Sequence, residues 1–401
     1  MKKILIILLG LALFLSFGCG KNSDITSPSN EVPIMSVQQG EVIEGSYIVV
    51  FEENKVSRGR ERVGKFAEKI TGKYGINFNN KKKFVYGYSV RGFSAKLTID
   101  EVNKLKEDQA VKFIEKDRVI KLNGNGPGGG GGGGGRPGDE DPDDPEDPSA
   151  EQTPWGINRV NGGIDATGKV AWIIDSGIDQ DNLDLNVDTS RSVSFVDTES
   201  TPDDLNGHGT HVAGTIAAID NNIGVIGVAA NATVVAVKVL DSRGSGSITS
   251  VVAGIDYYAQ NSNSGDVANM SLGGGISDTI DNAITNAADQ GNIFALAAGN
   301  ESDDANNHSP ARVEHYNVYT ISAIDSSDVF ASFSNYGNPP IEYAEPGVNI
   351  LSLAPNNGTA TMSGTSMASP HCAGLLLLGN ISTDGYAVSD PDGNPDPIGV
   401  H

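Results

Sequence analysis

Three short strings each set a reactive side chain among small residues: Asp175-Ser176-Gly177, Asn206-Gly207-His208-Gly209-Thr210-His211 and Ser363-Gly364-Thr365-Ser366-Met367-Ala368-Ser369-Pro370. They supply a carboxylate, an imidazole and a hydroxyl. A serine becomes a nucleophile when a histidine can take its proton, and a carboxylate orients that imidazole and stabilises it once charged. The chemistry implied is acyl transfer through a covalent intermediate. Two glycines beside His208 leave room for a substrate, while His211, three residues on, lies on a similar helical face. Ser366 opens the apolar stretch Met367 to Leu378, which places its hydroxyl at a helix N-terminus, where free amides favour developing negative charge. A plain N-cap is the other use of a serine there. Ala297-Ala298-Gly299-Asn300 closes an apolar run and carries an amide able to donate to a tetrahedral oxyanion. In isolation Gly-Asn is also a turn.

These residues need a rigid frame, and the sequence supplies one. Lys169 to Ile174 and Thr233 to Leu240 are near-continuous apolar runs rich in Val and Ile, as expected of strands buried on both faces of a parallel sheet. Ile248 to Gln260 and Ser277 to Asp289 read as helices between strands. Asp175 directly follows the first strand, at the carboxyl end where open parallel sheets place their sites. Upstream, Tyr47 to Phe51, Gly92 to Leu97 and Val111 to Ile114 read as strands, Arg60 to Tyr74 as a helix, and Thr98 with Glu101 as the capping box of a second helix.

Gly124 to Ala150 separates these units. Its unbroken glycines and its Asp/Pro run cannot bury a core, so it reads as a flexible, then extended tether. Residues 47–122 hold 18 Lys+Arg against 10 Asp+Glu, whereas residues 151–401 hold 6 against 30. The net charges of +8 and −24 make the two segments attract, and an acidic larger segment argues against nucleic acid as its target. Met1-Lys2-Lys3 and the apolar run Ile4 to Phe17 form a secretory leader. Cys19 then offers two readings, a lipid-attachment site or a thiol near an ordinary cleavage point.

From Gln152 to Leu378 these strings resemble the subtilisin-like serine proteases, and residues 45–122 resemble that family's propeptide. The resemblance implies an α/β fold, a subtilisin-like parallel sheet flanked by helices, preceded by a small α+β, ferredoxin-like propeptide domain. It divides the chain into a leader (1–19), a propeptide (45–122), a linker (123–150) and a peptidase domain (151–380); the polar end departs from the family, and the acidic tail (381–401) reads from its own residues either as disordered or as a second calcium site at Asp390, Asp392, Asn394 and Asp396. It makes Asp175, His208 and Ser366 a catalytic triad, with His208 rather than His211 as base and Asn300 in the oxyanion hole. Gly244, Ser245, Gly246 and Ser271, Leu272, Gly273 become the edges that pair an extended peptide. A structural calcium is implied at Gln152, Asp184, Ile219, Asn221, Ile223 and Val225, whose oxygens suit a hard cation, with no catalytic metal or organic cofactor. The implied partners are polypeptide substrates and the chain's own propeptide, acting as intramolecular chaperone and inhibitor, in an exported monomer that is either secreted or held at the envelope through Cys19. Asp303 and Asp304, where the family builds part of its first pocket, either favour basic side chains or are plain surface charge. A catalytically silent scaffold and an esterase or ligase on the same site are the rival readings.

Overall fold

The computed structural model describes residues 40–122 and 150–401. The leader with Cys19, and the linker from 123 to 149, lie outside the described residues.

The smaller segment is a four-stranded antiparallel arrangement of Val42–Phe51, Lys82–Tyr86, Gly92–Lys96 and Val111–Lys121, with helices Arg60–Lys73 and Ile99–Lys106 on one face. The shorter helix starts with the expected capping box: Thr98 Oγ1 accepts from Glu101 N, and the Glu101 carboxylate accepts from Thr98 N at 2.8 Å. The apolar run at Tyr47–Phe51 splits by the two-residue period of a strand. Tyr47, Val49 and Phe51 pack beneath the segment's own helices with Val63, Ile70 and Leu105. Ile48 and Val50 turn the other way and join Tyr86 and Phe113 in one core with Val251, Val252 and Ile284 of the larger segment. Both faces are therefore buried, each by a different segment.

The larger segment holds a ten-stranded sheet whose central strands are parallel. Val170–Asp175 lies between Thr233–Lys238 on one side and Val267–Met270 on the other. The chain leaves the first strand to one side and resumes on the opposite side, which opens a crevice at the carboxyl ends. Helices His208–Ala217 and Thr365–Leu378 cover one face, burying Val212, Ile216 and Leu377 on Ile173 and Val234. Helices Ile248–Asn261 and Asp278–Ala288 cover the other, against Trp172, Ile174 and Phe294. Their N-caps are Ser247 and Ser277, whose side chains accept from Ser250 N and Ile280 N.

The tail departs from the expectation of disorder. Ser382–Tyr386 pairs antiparallel with Pro397–Val400, which lies parallel beside Ile341–Pro346 at the sheet edge. Ile398 is fully buried with Phe330 and Ala344, and Asp396 accepts from Ser322 Oγ at 2.5 Å and Asn338 Nδ2 at 2.8 Å. The apolar residues after the acidic run anchor it, and side chains distant in sequence satisfy its most buried carboxylate.

Candidate active site

Asp175, fully buried at the end of its strand, accepts from Ser176 N at 2.7 Å, and the same oxygen stands 2.8 Å from His208 Nδ1. His208 is the first residue of its helix, after Gly207 in the left-handed region at φ 101°. Gly209 allows close approach, because a Cβ there would sit 2.0 Å from Gly177 O. Asp204 fixes this turn: it accepts from Gly207 N, Thr210 N and Ser176 Oγ, each at 2.9 Å. Sequence reading missed Asp204, which lies outside the helix and three residues before its N-cap Gly207. Burial works to depress the His208 pKa, but the charge and hydrogen bond of Asp175, with Asp204 behind them, hold it above its ordinary value. His211 is also buried, with Nε2 on the carbonyls of Ile350 and Ala360 at 3.0 and 3.1 Å. Burial and the neighbouring His208 push it down to about 3. It is a neutral packing residue.

Ser366 is the second residue of helix Thr365–Leu378, and its hydroxyl donates to Ser271 O at 3.2 Å rather than to His208. Ser271 Oγ returns a bond to Ser366 O at 2.8 Å and accepts from Asn269 Nδ2 at 2.9 Å, while Asn269 Oδ1 accepts from Ser369 Oγ at 2.8 Å. This chain ties the helix start to the sheet. Asn269 was also missed; an amide inside the apolar strand Val267–Met270 is its sequence signal. Asn300 Oδ1 accepts from Thr365 N and Oγ1 at 2.8 and 3.0 Å, which fixes the side-chain amide with its NH2 on the other branch. Asn300, Ser366, Leu272, Gly273 and His308 line one pocket.

The two expected peptide-pairing edges hold one strand between them. On one side Val119, Ile120 and Lys121 pair with Ser247, Gly246 and Ser245, and Leu122 N donates to Gly244 O at 2.8 Å. On the other, Lys121 bridges antiparallel to Gly273. The end of the smaller segment thus occupies the groove beside Ser366.

Three carboxylates fasten the two segments. Glu115 and Asp117 on the groove strand accept from Thr279 N at 2.9 Å and Thr249 N at 3.1 Å, in the first turns of the two helices capped by Ser277 and Ser247. Negative charge there complements the helix dipoles. In return Asp256 Oδ1 accepts from the backbone N–H groups of Gly87, Tyr88 and Ser89 at 2.9, 2.7 and 2.9 Å, while its Oδ2 takes Arg60 at 3.1 Å.

The expected calcium residues also converge. Asp184 Oδ1 accepts from Asn221 Nδ2 at 2.6 Å and Oδ2 from Val225 N at 3.1 Å; Ile219 N bonds Asp184 O, Ile223 N bonds Asn221 Oδ1 at 2.7 Å, and Gln152 bridges Val225. Burial pushes the Asp184 carboxyl up to about 6, so a cation would relieve a real cost. Asn221 presents nitrogen to Asp184, and binding would require its amide to turn. Among the described residues no three His, Cys, Asp or Glu side chains are placed to hold a metal ion together, so amide and carbonyl oxygens would supply most ligands.

The subtilase family model matches residues 167–380, and the peptidase inhibitor I9 model matches residues 46–123. A subtilisin-like protease of Coccidioides posadasii is 35% identical over 384 residues, 89% of this chain and 88% of that protein. A thermostable alkaline protease of Halalkalibacterium halodurans is 39% identical, covering 71% of each. Alkaline serine exoprotease A of Vibrio alginolyticus is 35% identical over 83% of this chain, which spans 60% of that protein's length. The crystal structure of a cold adapted subtilisin-like serine proteinase superposes with a TM-score of 0.54 at 39% identity, covering 61% of this chain and 96% of that one. With both family models matched in sequence and the parallel sheet and antiparallel N-terminal unit in place, the chain belongs to the subtilase family of serine peptidases and carries an I9-type inhibitor domain ahead of its peptidase domain.

Proposed function

We propose that the protein is an exported serine endopeptidase made as a self-processing zymogen. His208, oriented by Asp175, takes the Ser366 proton as Oγ attacks the scissile carbonyl; Asn300 Nδ2 and the backbone N–H of Ser366 hold the oxyanion. His208 then returns the proton to the leaving amine, and water hydrolyses the acyl-enzyme. The inhibitor segment serves first as folding template, then as first substrate and inhibitor. Where calcium binds, it would lie among Gln152, Asp184, Ile219, Asn221, Ile223 and Val225 and act on stability. Export is supported by the charged, then apolar leader, with attachment through Cys19 as its membrane-bound form. Among the described residues no helix is long and apolar enough to cross a membrane.

The observation that carries this reading is the strand in the groove. Lys121 opposes Gly273 in antiparallel register, and two residues along that edge the Ser271 carbonyl lies 3.2 Å from Ser366 Oγ, so the strand runs toward the nucleophile. The cut is then placed after Leu122, at the start of the glycine-rich tether. Intact-mass and N-terminal analysis of the full chain made in a protease-deficient host should find a chain starting shortly after Leu122, and Ser366→Ala should leave the chain uncut. A shortened Ser366→Ala chain would sink self-processing.

A further inference from the structure

Lys238 ends the strand Thr233–Lys238 and stands opposite Asp175 in the parallel register of the two strands. Its side chain is fully buried. An ammonium group taken out of water must be paired and hydrogen-bonded to be tolerated, and here both partners belong to the frame around Asp175 and His208. Nζ donates to the carbonyl of Ser176, the residue after Asp175, at 2.5 Å, and lies 3.0 Å from Glu199 Oε2. Glu199 follows the short strand Val193–Ser194, which pairs with the end of the Lys238 strand. Burial works to raise its pKa, but the backbone of Ser242 and the lysine hold it below its ordinary value. The other oxygen of Glu199 accepts from Ser242 N at 2.9 Å, Ser242 O accepts from Asn206 Nδ2 at 3.1 Å, and Asn206 Oδ1 accepts from His208 N at 3.3 Å. The ion pair thus ties the turn after Asp175 to the first residue of the His208 helix.

We infer that Lys238 and Glu199 are positioning residues, whose ion pair fixes the Ser176 peptide and, through it, the oxygen of Asp175 that holds His208. This rests on the reading of Asp175, His208 and Ser366 as a triad. Ser176 is gripped at three points: Lys238 holds its carbonyl, its Oγ accepts from Gly209 N at 3.0 Å, and its N–H bonds Asp175 Oδ1, the same oxygen that faces His208 Nδ1. Release of the carbonyl lets that N–H turn and the Asp175–His208 bond lengthen. The second support is energetic. A buried ion pair adds little to stability over apolar side chains of the same volume, so the consequence of this one lies in what its two ends hold. The groups that face His208 are Asp175 and Asp204, which raise its pKa against burial, and the neighbouring ring of His211. A slackened Asp175 bond therefore lowers that pKa, and a base displaced by about 1 Å loses up to about 100-fold in rate.

The test is Lys238→Met combined with Glu199→Gln, made as the full chain, given time to process and assayed on a peptide substrate beside the unmodified enzyme. The pair of substitutions removes both charges while keeping the side-chain lengths and an acceptor for Ser242. kcat should fall by about ten- to 100-fold with KM within about threefold, the acid limb of kcat/KM should move to lower pH, and the melting temperature should stay close to that of the unmodified enzyme. If the double variant does not fold, Glu199→Gln alone, which leaves Lys238 without its counter-charge, is read in the same way. A folded variant with kcat and limb unchanged would overturn the inference. So would a joint fall of kcat and melting temperature with the limb in place, since loss of structure alone produces that. Failure of the unmodified enzyme to cleave the peptide, together with failure of a fluorophosphonate to label its Ser366, would remove the triad reading and this inference with it.

Discussion

Asp256 accepts both the backbone N–H and the hydroxyl of Ser89, at 2.9 and 3.1 Å, across 167 residues of sequence and from one segment to the other. The carboxylate is fully buried, and the adjacent N–H groups of Gly87 and Tyr88 converge on the same oxygen. Association thus buries this carboxylate together with its donors.

Asp256→Ala should raise the inhibition constant of the separately made inhibitor segment by about 100-fold, since several buried donors lose a charged acceptor worth about 1.5–3 kcal/mol. Inhibition titrations against the mature enzyme measure it. An unchanged constant would mean that water replaces the carboxylate without loss.

The inhibitor should also loosen as pH rises from the ordinary carboxylate range toward neutrality. Burial raises the Glu115 pKa in the complex, and burial with Asp278 and Glu115 pushes Asp281 up to about 7. A group with a higher pKa in the complex than apart favours association below its free pKa and loses that advantage as pH passes through the raised value. Glu115→Gln keeps an acceptor for Thr279 and should flatten the profile of inhibition constant against pH; an identical slope in that variant would remove Glu115 as the cause.

Turnover should fall on the acid side with an apparent pKa above 6.5, because His208 must be neutral to act as base and Asp175 and Asp204 hold its pKa up against burial. Asp204→Asn should move that limb to lower pH by removing one of the raising charges. The kcat/KM profile of the two enzymes decides, and a limb that stays in place would reduce Asp204 to an anchor of the helix turn.

Chelation should lower the melting temperature by about 5–10 °C relative to calcium at a hundredfold excess over its Kd, from about 2.7 kcal/mol of mass-action stabilisation. Asn221→Ala should shrink the difference. Superimposable melting curves with calcium and with chelator would withdraw the metal from the loop.

Local signals were legible. The capping box at Thr98, the glycines around His208 and the small residues before Ser366 declare themselves within a few positions of sequence. The strand Lys82–Tyr86 did not, because Lys81-Lys82-Lys83 gives it a polar start. The groove strand runs on to Lys121 through Glu115, Lys116, Asp117 and Arg118, a stretch with no strand pattern. Glu115 and Asp117 are buried because their partners, Thr279 and Thr249, belong to helices of the other segment. No local window contains that information. The tail misled for the same reason: its acidic loop was visible, whereas Ser322 and Asn338, which receive Asp396, lie more than fifty residues away.

The groove strand belongs to the inhibitor segment and lies along the two edges proposed to pair a substrate. Cutting its tether does not empty the groove, because the pairing and the three carboxylate contacts survive the cut. On the proposed self-processing, a cut molecule stays silent until its inhibitor dissociates and is destroyed, and the first free enzyme is the agent that destroys it. Activation then becomes a property of the population: slow to start, accelerating with each molecule released, and shortened by a trace of finished enzyme. The lag before that acceleration is set by the lifetime of the inhibitor in the groove and not by the rate of the first cut.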